Sequence, residues 1–182
     1  TPPLSQRIEL PEFLIRHIED VKSNSIMNAP IEQGNELYPL ILFSHGLGGM
    51  RMQNTVQMEE LASRGYVVLA MDHPYDANIT IFKDGSIAEF RSGLRDNATE
   101  KEFWDVRLPQ INTRASDVSF VIDNIESQKG TGNILWESID LTKVGVFGHS
   151  FGGATGIVAS FKDSRIDACL NLDGWIEPVE ST

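Results

Sequence analysis

Apolar residues along this chain fall into two alternating rhythms. Four short apolar-rich stretches carry the strand signal: Leu40 to Phe43, "YVVLAMD" (66–72), "KVGVFGHS" (143–150) and "DACLNLD" (167–173). A continuous apolar run marks a strand covered on both faces. Other stretches show apolar spacings of three and four, the period of a helix with one buried stripe. They are residues 10–25 (Leu10, Phe13, Leu14, Ile18, Val21), 52–63 (Met58, Leu61, Ala62), the segment from Ile111 (Ala115, Val118, Ile122, Ile125) and 152–161 (Ile157, Val158, Phe161). Gly65 stands where a left-handed cap would end the second helix. Residues 28–38 and 128–142 read as connectors. Residues 74–110 are polar, lack a sustained period, and read as a long loop, a length usually tied to function. Strands alternating with helices predict an α/β fold with a mostly parallel sheet and helices on both faces. No domain boundary is visible, so residues 1–182 read as one domain.

The densest chemical signal is "GHSFGG" (148–153), placed directly between a predicted strand and a predicted helix. Gly148-x-Ser150-x-Gly152 in that setting is the nucleophile-elbow pattern, in which a serine sits on a sharp turn with its hydroxyl raised above the strand ends. Glycines on both sides remove side chains that would strike the strand and the helix. The competing reading is a plain glycine turn whose serine caps the helix. If Ser150 is a nucleophile, it needs donors for the oxyanion its attack creates. The Phe151 N–H follows it directly, and "SHGLGG" (44–49), after an adjacent strand, offers the Leu47 N–H.

Asp173 ends the fourth predicted strand, on the carboxyl edge where ligands of parallel sheets bind. That edge makes it the candidate acid, against the alternative that it starts a turn with Gly174. The four histidines fit less well. His17 reads as a surface residue, His45 as part of the oxyanion loop, and His149 as an elbow residue pointing away from the serine. His73 follows the second strand, where it lines the cleft or serves the core. In the elbow fold the order is serine, acid, histidine, and no histidine follows Asp173.

Composition narrows the partners. A net charge of −11 argues against nucleic acid. No run approaches the ~20 apolar residues of a membrane span, and Thr1-Pro2-Pro3 opens no signal peptide, so a soluble chain is expected, without stable membrane insertion and with its compartment unspecified. The single cysteine, Cys169, forms no internal disulfide and reads as a small core residue. No Cys/His spacing suits a metal, and no cofactor is implied. Phe103 and Trp104 either form an apolar acyl-binding surface or pack into the core, and Glu100-Lys101-Glu102 reads as a solvated face. Trp175 is a candidate for the wall of the site.

Several motifs together resemble the platelet-activating-factor acetylhydrolase and lipoprotein-associated phospholipase family of α/β-hydrolases. They are "YPLILFSHGLGG", "LASRGYVVLAMDHPYDA", "FKDGS", "GHSFGGAT" and "LDGWIEP", running from about Tyr38 to Pro178. "DHPYDA" points to a bacterial branch. The resemblance implies Ser150 as nucleophile, Asp173 as triad acid, and the Leu47 and Phe151 N–H groups as oxyanion hole. It implies calcium-independent hydrolysis of short or oxidised acyl esters, with a small ester or phospholipid as the substrate partner. It also implies a sheet short of its C-terminal strands and a triad histidine beyond residue 182, so that these residues alone are expected to be inactive. A general carboxylesterase or polyester hydrolase on the same fold, and a hydrolase-like binding module, are the competing readings.

Overall fold

A computed structural model describes residues 2–32 and 37–176. In chain order the elements are α1 (Pro2–Arg7), α2 (Glu12–Ile15) with a 3-10 turn at Arg16–Asp20, β1 (Tyr38–Ser44), α3 (Thr55–Ser63) and β2 (Val67–Met71). A hairpin of β3 (Ile79–Ile81) and β4 (Ile87–Glu89) precedes α4 (Glu100–Gln128) and α5 (Ile134–Glu137). The chain then runs through β5 (Ile139–His149), α6 (Phe151–Lys162) and β6 (Ile166–Leu172). Residues 33–36 of the expected first loop, and Glu177 and Pro178 of the "LDGWIEP" motif, lie outside the described residues.

The four main strands form one parallel sheet in the order β2-β1-β5-β6. Register explains how the faces are filled. Leu40 pairs with Val144 and Leu42 with Val146, so these four side chains share one face. All four are buried there, against Ile111, Ala115, Val118 and Ile122 of α4 and Phe151, Ala154 and Val158 of α6. Burying each such side chain stabilises the fold by about 1.5–3 kcal/mol. On the other face Phe43 and Phe147 stack at 4.8 Å, and α3 packs beside β2. The expected α/β architecture with helices on both faces is therefore present. Among the described residues no helix is long and apolar enough to cross a membrane.

Four expectations need correction. Residues 10–25 are not one helix: the chain turns at Glu9 (φ 54°), restarts after Pro11, and tightens into the 3-10 turn. The apolar stripe read there is exposed, with Phe13 at 75% and Val21 at 73%. The 74–110 stretch is not a plain loop. It holds the hairpin and the first turns of α4, which starts at Glu100 because Thr99 and Glu102 form a reciprocal capping box. The Thr99 hydroxyl accepts from the Glu102 N–H at 3.3 Å, and the Glu102 carboxylate accepts from the Thr99 N–H at 2.8 Å. Glu100-Lys101-Glu102 thus opens a helix whose positive end favours the acids. Pro109 sits inside this helix without ending it.

The second and fourth strands are not covered on both faces. They are the outer strands of the sheet, so β2 is half-buried throughout and Ala168 to Leu170 of β6 are exposed. Cys169 is accordingly a free, exposed thiol rather than a core residue.

The capping box makes a measurable claim. Thr99→Ala removes both hydrogen bonds of the hydroxyl at the start of α4 and should cost about 1 kcal/mol, lowering the thermal midpoint by about 3 °C. An unchanged midpoint would show that packing alone sets the first turns of this helix.

Candidate active site

β1, β5 and β6 end side by side, and their carboxyl ends present Ser44, His149 and Leu172 to one edge. At that edge β5 passes into α6 through a single residue. Ser150 has φ 53° and ψ −123°, a left-handed backbone that a side-chain-bearing residue adopts only under constraint. The constraint is visible in its neighbours. A Cβ on Gly148 would collide with the Gly152 carbonyl, and one on Gly152 would overlap the Ser44 carbonyl oxygen. The turn is therefore closed by backbone packed on backbone, which only glycine permits.

Ser150 is bracketed from the β6 side. Its N–H donates to the Leu172 carbonyl at 2.8 Å. A Cβ on Gly174 would strike the Ser150 carbonyl. Asp173 lies between these two contacts, exposed and itself left-handed at φ 60°. The Asn171 side chain shapes this turn, accepting from the Gly174 N–H at 2.7 Å and donating to the Gly174 carbonyl at 3.0 Å.

The loop after β1 lies against the other side of the elbow. A Cβ on Gly46 would stand 3.2 Å from His149 Nδ1 and 3.4 Å from the Ser150 Cβ, so the loop backbone runs at van der Waals distance from the serine. Gln53 ties the two together, accepting from the Gly46 N–H at 3.2 Å and donating to His149 Nδ1 at 2.9 Å. Leu47 follows directly. The Gly48 N–H is taken by the Asp76 carbonyl at 2.8 Å and the Gly49 N–H by the Gly46 carbonyl at 2.9 Å. Phe151 opens α6, where the first N–H groups have no partner within the helix.

Beneath this loop sits a buried polar network. His45 Nδ1–H donates to the Gly46 carbonyl at 2.6 Å, which leaves Nε2 to accept from the His73 N–H at 3.1 Å. His73 Nδ1–H donates to Asp117 at 2.7 Å, and its Nε2 accepts from the Ser44 hydroxyl at 3.0 Å. Ser44 in turn accepts from Arg114 at 3.1 Å. Each ring is thereby assigned one neutral tautomer. Burial, then the Arg114 charge, lowers the His45 pKa to about 4 and holds that of His73 well below the ordinary histidine value. The His73–Asp117 contact is accordingly a hydrogen bond from a neutral ring rather than an ion pair.

The histidines thus have other work. His73 is 1% exposed and hydrogen-bonded at both ring nitrogens, so it is a buried residue of the core. His17 bonds the Leu14 carbonyl at 3.1 Å on the surface. Sequence reasoning missed Arg114, Asp117, Asp76 and Gln53. One signal was present: Arg114 falls on the apolar stripe of Ile111, Ala115 and Val118, a position where a charge needs a reason. Phe103 and Trp104 lie on α4 rather than in a loop. They meet Trp175 edge-to-face at 5.1 and 5.9 Å, and Trp175 meets Phe151 at 5.7 Å, so the segment after Asp173 is clamped to the start of α6.

Comparisons with known proteins place the chain in a family and a fold. A family model described as platelet-activating factor acetylhydrolase, isoform II, matches residues 6–182. The platelet-activating factor acetylhydrolase of Canis lupus familiaris is 36% identical over 84% of this chain and 38% of its own length. A probable 1-alkyl-2-acetylglycerophosphocholine esterase of Arthroderma benhamiae is 31% identical over 81% of this chain and 34% of its own. The solved ferulic acid esterase from Streptomyces cinnamoneus superposes with a TM-score of 0.64 at 35% identity, covering 78% of this chain and 38% of that one. The chain spans about two fifths of the length of the curated relatives it matches.

The neutral histidines give the fold an acid sensitivity. An unfolded chain protonates His45 near 6.5, whereas the folded chain does so only near 4. Stability is therefore full above about pH 6.5 and declines as pH falls towards 4, by about 2 kcal/mol at pH 5 from this ring alone. His73 acts in the same direction. Asp76 and Asp117, whose carboxyls burial pushes upward, act in the opposite sense as they take up protons above the ordinary carboxylate range. The urea midpoint should fall between pH 7 and pH 5, and His45→Gln should flatten that fall. A flat profile in the unsubstituted protein would contradict the neutral, buried rings.

Proposed function

The chain belongs to the platelet-activating factor acetylhydrolase isoform II family, and from that premise we propose that it carries the nucleophile and oxyanion-binding part of a serine-dependent carboxylic-ester hydrolase. The observation that carries this reading is the backbone of Ser150, held at φ 53° between β5 and α6. A serine that only capped the helix would not need that conformation.

In the proposed reaction Ser150 Oγ attacks the ester carbonyl while its proton passes to an imidazole. The carbonyl oxygen becomes an oxyanion and is received by the Leu47 and Phe151 N–H groups. The intermediate collapses, the imidazole returns the proton to the departing alcohol, and an acyl-serine remains for water to cleave by the same steps. Asp173 is the acid that orients the imidazole, an assignment supported by the place of its backbone between the two contacts that bracket Ser150. The four histidine rings present here are engaged elsewhere or face away. The base is therefore assigned to a histidine in the part of the relatives' length that this chain does not span, and residues 1–182 alone should turn over esters poorly.

The proposed substrates are short or oxidised acyl esters, phospholipids with an acetyl group at the second position among them. The acetyl phospholipid follows the names of the animal and fungal relatives, and the wider range of short or oxidised acyl groups follows the motif resemblance. A broader carboxylesterase reading is favoured by one observation: the ferulic acid esterase is as similar, at 35% identity, as the phospholipid-directed relatives. Turnover profiled across acetyl, longer acyl and aromatic acyl esters, with and without a phospholipid headgroup, separates the two.

In the full-length natural protein a fluorophosphonate probe should label Ser150, and Ser150→Ala should abolish both label and turnover. Labelling that persists in that variant would refute the nucleophile. Asp173→Asn should leave the fold intact and lower turnover on the order of ten-thousandfold. Near-normal turnover would move the acid elsewhere.

A further inference from the structure

One side chain reaches both sources of the proposed oxyanion donors from beneath. Arg114 lies in the middle of α4 and is 1% exposed, the largest of the fully buried side chains. Its Nη2 donates to the Ser44 hydroxyl at 3.1 Å and to the His45 carbonyl oxygen. Its guanidinium carbon stands 5.0 Å from the centre of the Phe151 ring, within cation–π range. Ser44 and His45 lead directly into Leu47. Phe151 supplies the other donor. The same planar group thus meets the segments bearing both.

Filling space does not account for it. The neighbouring positions of the stripe are Ile111, Ala115 and Val118, and an apolar side chain at 114 would fill that space without bringing a cation out of water. The Asp76 carboxylate is 3.8 Å from Nε, and Nε and Nη1 meet no hydrogen-bond acceptor among the described residues. The charge is only partly answered by its surroundings, and its directed bonds go to the loop that leads to Leu47.

We propose that Arg114 is a positioning residue for ester hydrolysis: its guanidinium holds the Ser44–Leu47 segment against the start of α6, so that the Leu47 and Phe151 N–H groups converge on one oxygen. This rests on the reading of the protein as a serine ester hydrolase with those donors. Two properties of the guanidinium matter. One nitrogen, Nη2, meets both acceptors while the planar group lies against the Phe151 ring, a face that an ammonium lacks. Its positive charge, in a site shielded from water, strengthens the field felt by an oxyanion at the donors. Both effects act on the transition state and leave ester binding in the ground state nearly unchanged.

The test uses the full-length natural protein with p-nitrophenyl acetate as substrate. A trifluoromethyl ketone, which adds to the serine and places an oxyanion in the same hole, serves as the analogue. Arg114→Met should lower kcat on the order of a hundredfold, hold KM within about threefold, and weaken ketone affinity in step with kcat/KM. Arg114→Lys keeps the cation and loses the planar group that meets the Phe151 ring. It should fold with a near-normal thermal midpoint and lose on the order of tenfold in kcat, again with the ketone affinity. Normal kcat and ketone affinity in the folded variants would overturn the proposal. So would a loss confined to KM, or a kcat loss with ketone binding intact. Failure of both variants to fold would make Arg114 a requirement of the core and would also overturn it. Ser150→Ala distinguishes the levels. If that variant keeps its turnover, the hydrolase reading itself fails. If it is inactive while both Arg114 variants are fully active, only the role of Arg114 falls.

Discussion

The first turn of α6 lies so close to the end of β1 that any Cβ at Gly152 would overlap the Ser44 carbonyl oxygen. This approach of backbone to backbone sets the rest of the carboxyl edge. It obliges β5 to enter α6 within one residue, which forces Ser150 into a left-handed conformation. It brings the helix start, with its unpaired N–H groups, beside the loop that follows β1. It also leaves room on the β6 side for the Asn171–Gly174 turn, which closes over the Ser150 carbonyl. A strained residue persists only where its surroundings over-determine it, and here three strand ends do so.

Holding such an edge requires polar groups in places where water is excluded. Ser44, His45, His73 and Arg114 are all buried. Buried polar atoms are tolerated when they are hydrogen-bonded, and each histidine ring in this network uses one nitrogen as donor and the other as acceptor. The chain of bonds runs from Asp117 on α4 through His73 to Ser44, at the end of β1. A network of this kind fixes one arrangement, because a shift of any member leaves another unpaired. The loop after β1 is therefore rigid from below, through His45, and from the side, through Gln53. The aromatic group of Phe103, Trp104 and Trp175 does the corresponding work at the Phe151 ring, which Trp175 meets edge-to-face.

The elements that sequence patterning captured are those whose signal is local. Leu40 to Phe43 and the run ending at Phe147 were read as strands because unbroken apolar residues suit a central parallel strand, and β1 and β5 are central. Residues 66–72 and 167–173 also hold strands, as expected, but the expected burial is overstated, since apolar residues do not say whether a further strand lies beside them. The start of α4 was missed although Thr99-x-x-Glu102 is a capping signature. The polar residues before Ile111, which show no sustained period, hid it. In residues 10–25 the helical period was present but matched to nothing, because a stripe creates a helix only when another surface receives it.

By itself the sequence determined that a tight turn joins a strand to a helix at Ser150, with Gly148 and Gly152 on either side of it. It also determined the alternation of elements that makes a parallel sheet, and therefore the edge at which Ser150, Leu47, Phe151 and Asp173 stand. Tertiary structure alone decided which polar side chains are buried together. Arg114 and Asp117 on α4, His73 after β2 and Ser44 at the end of β1 come from three separate segments, and no local pattern announces that they meet. It also decided that His73 faces the core and that Cys169 faces solvent. The physical reason is the same in each case. Periodicity and steric demand are encoded within a few residues, whereas hydrogen-bond partners and exposure depend on what packs against a segment from elsewhere in the fold.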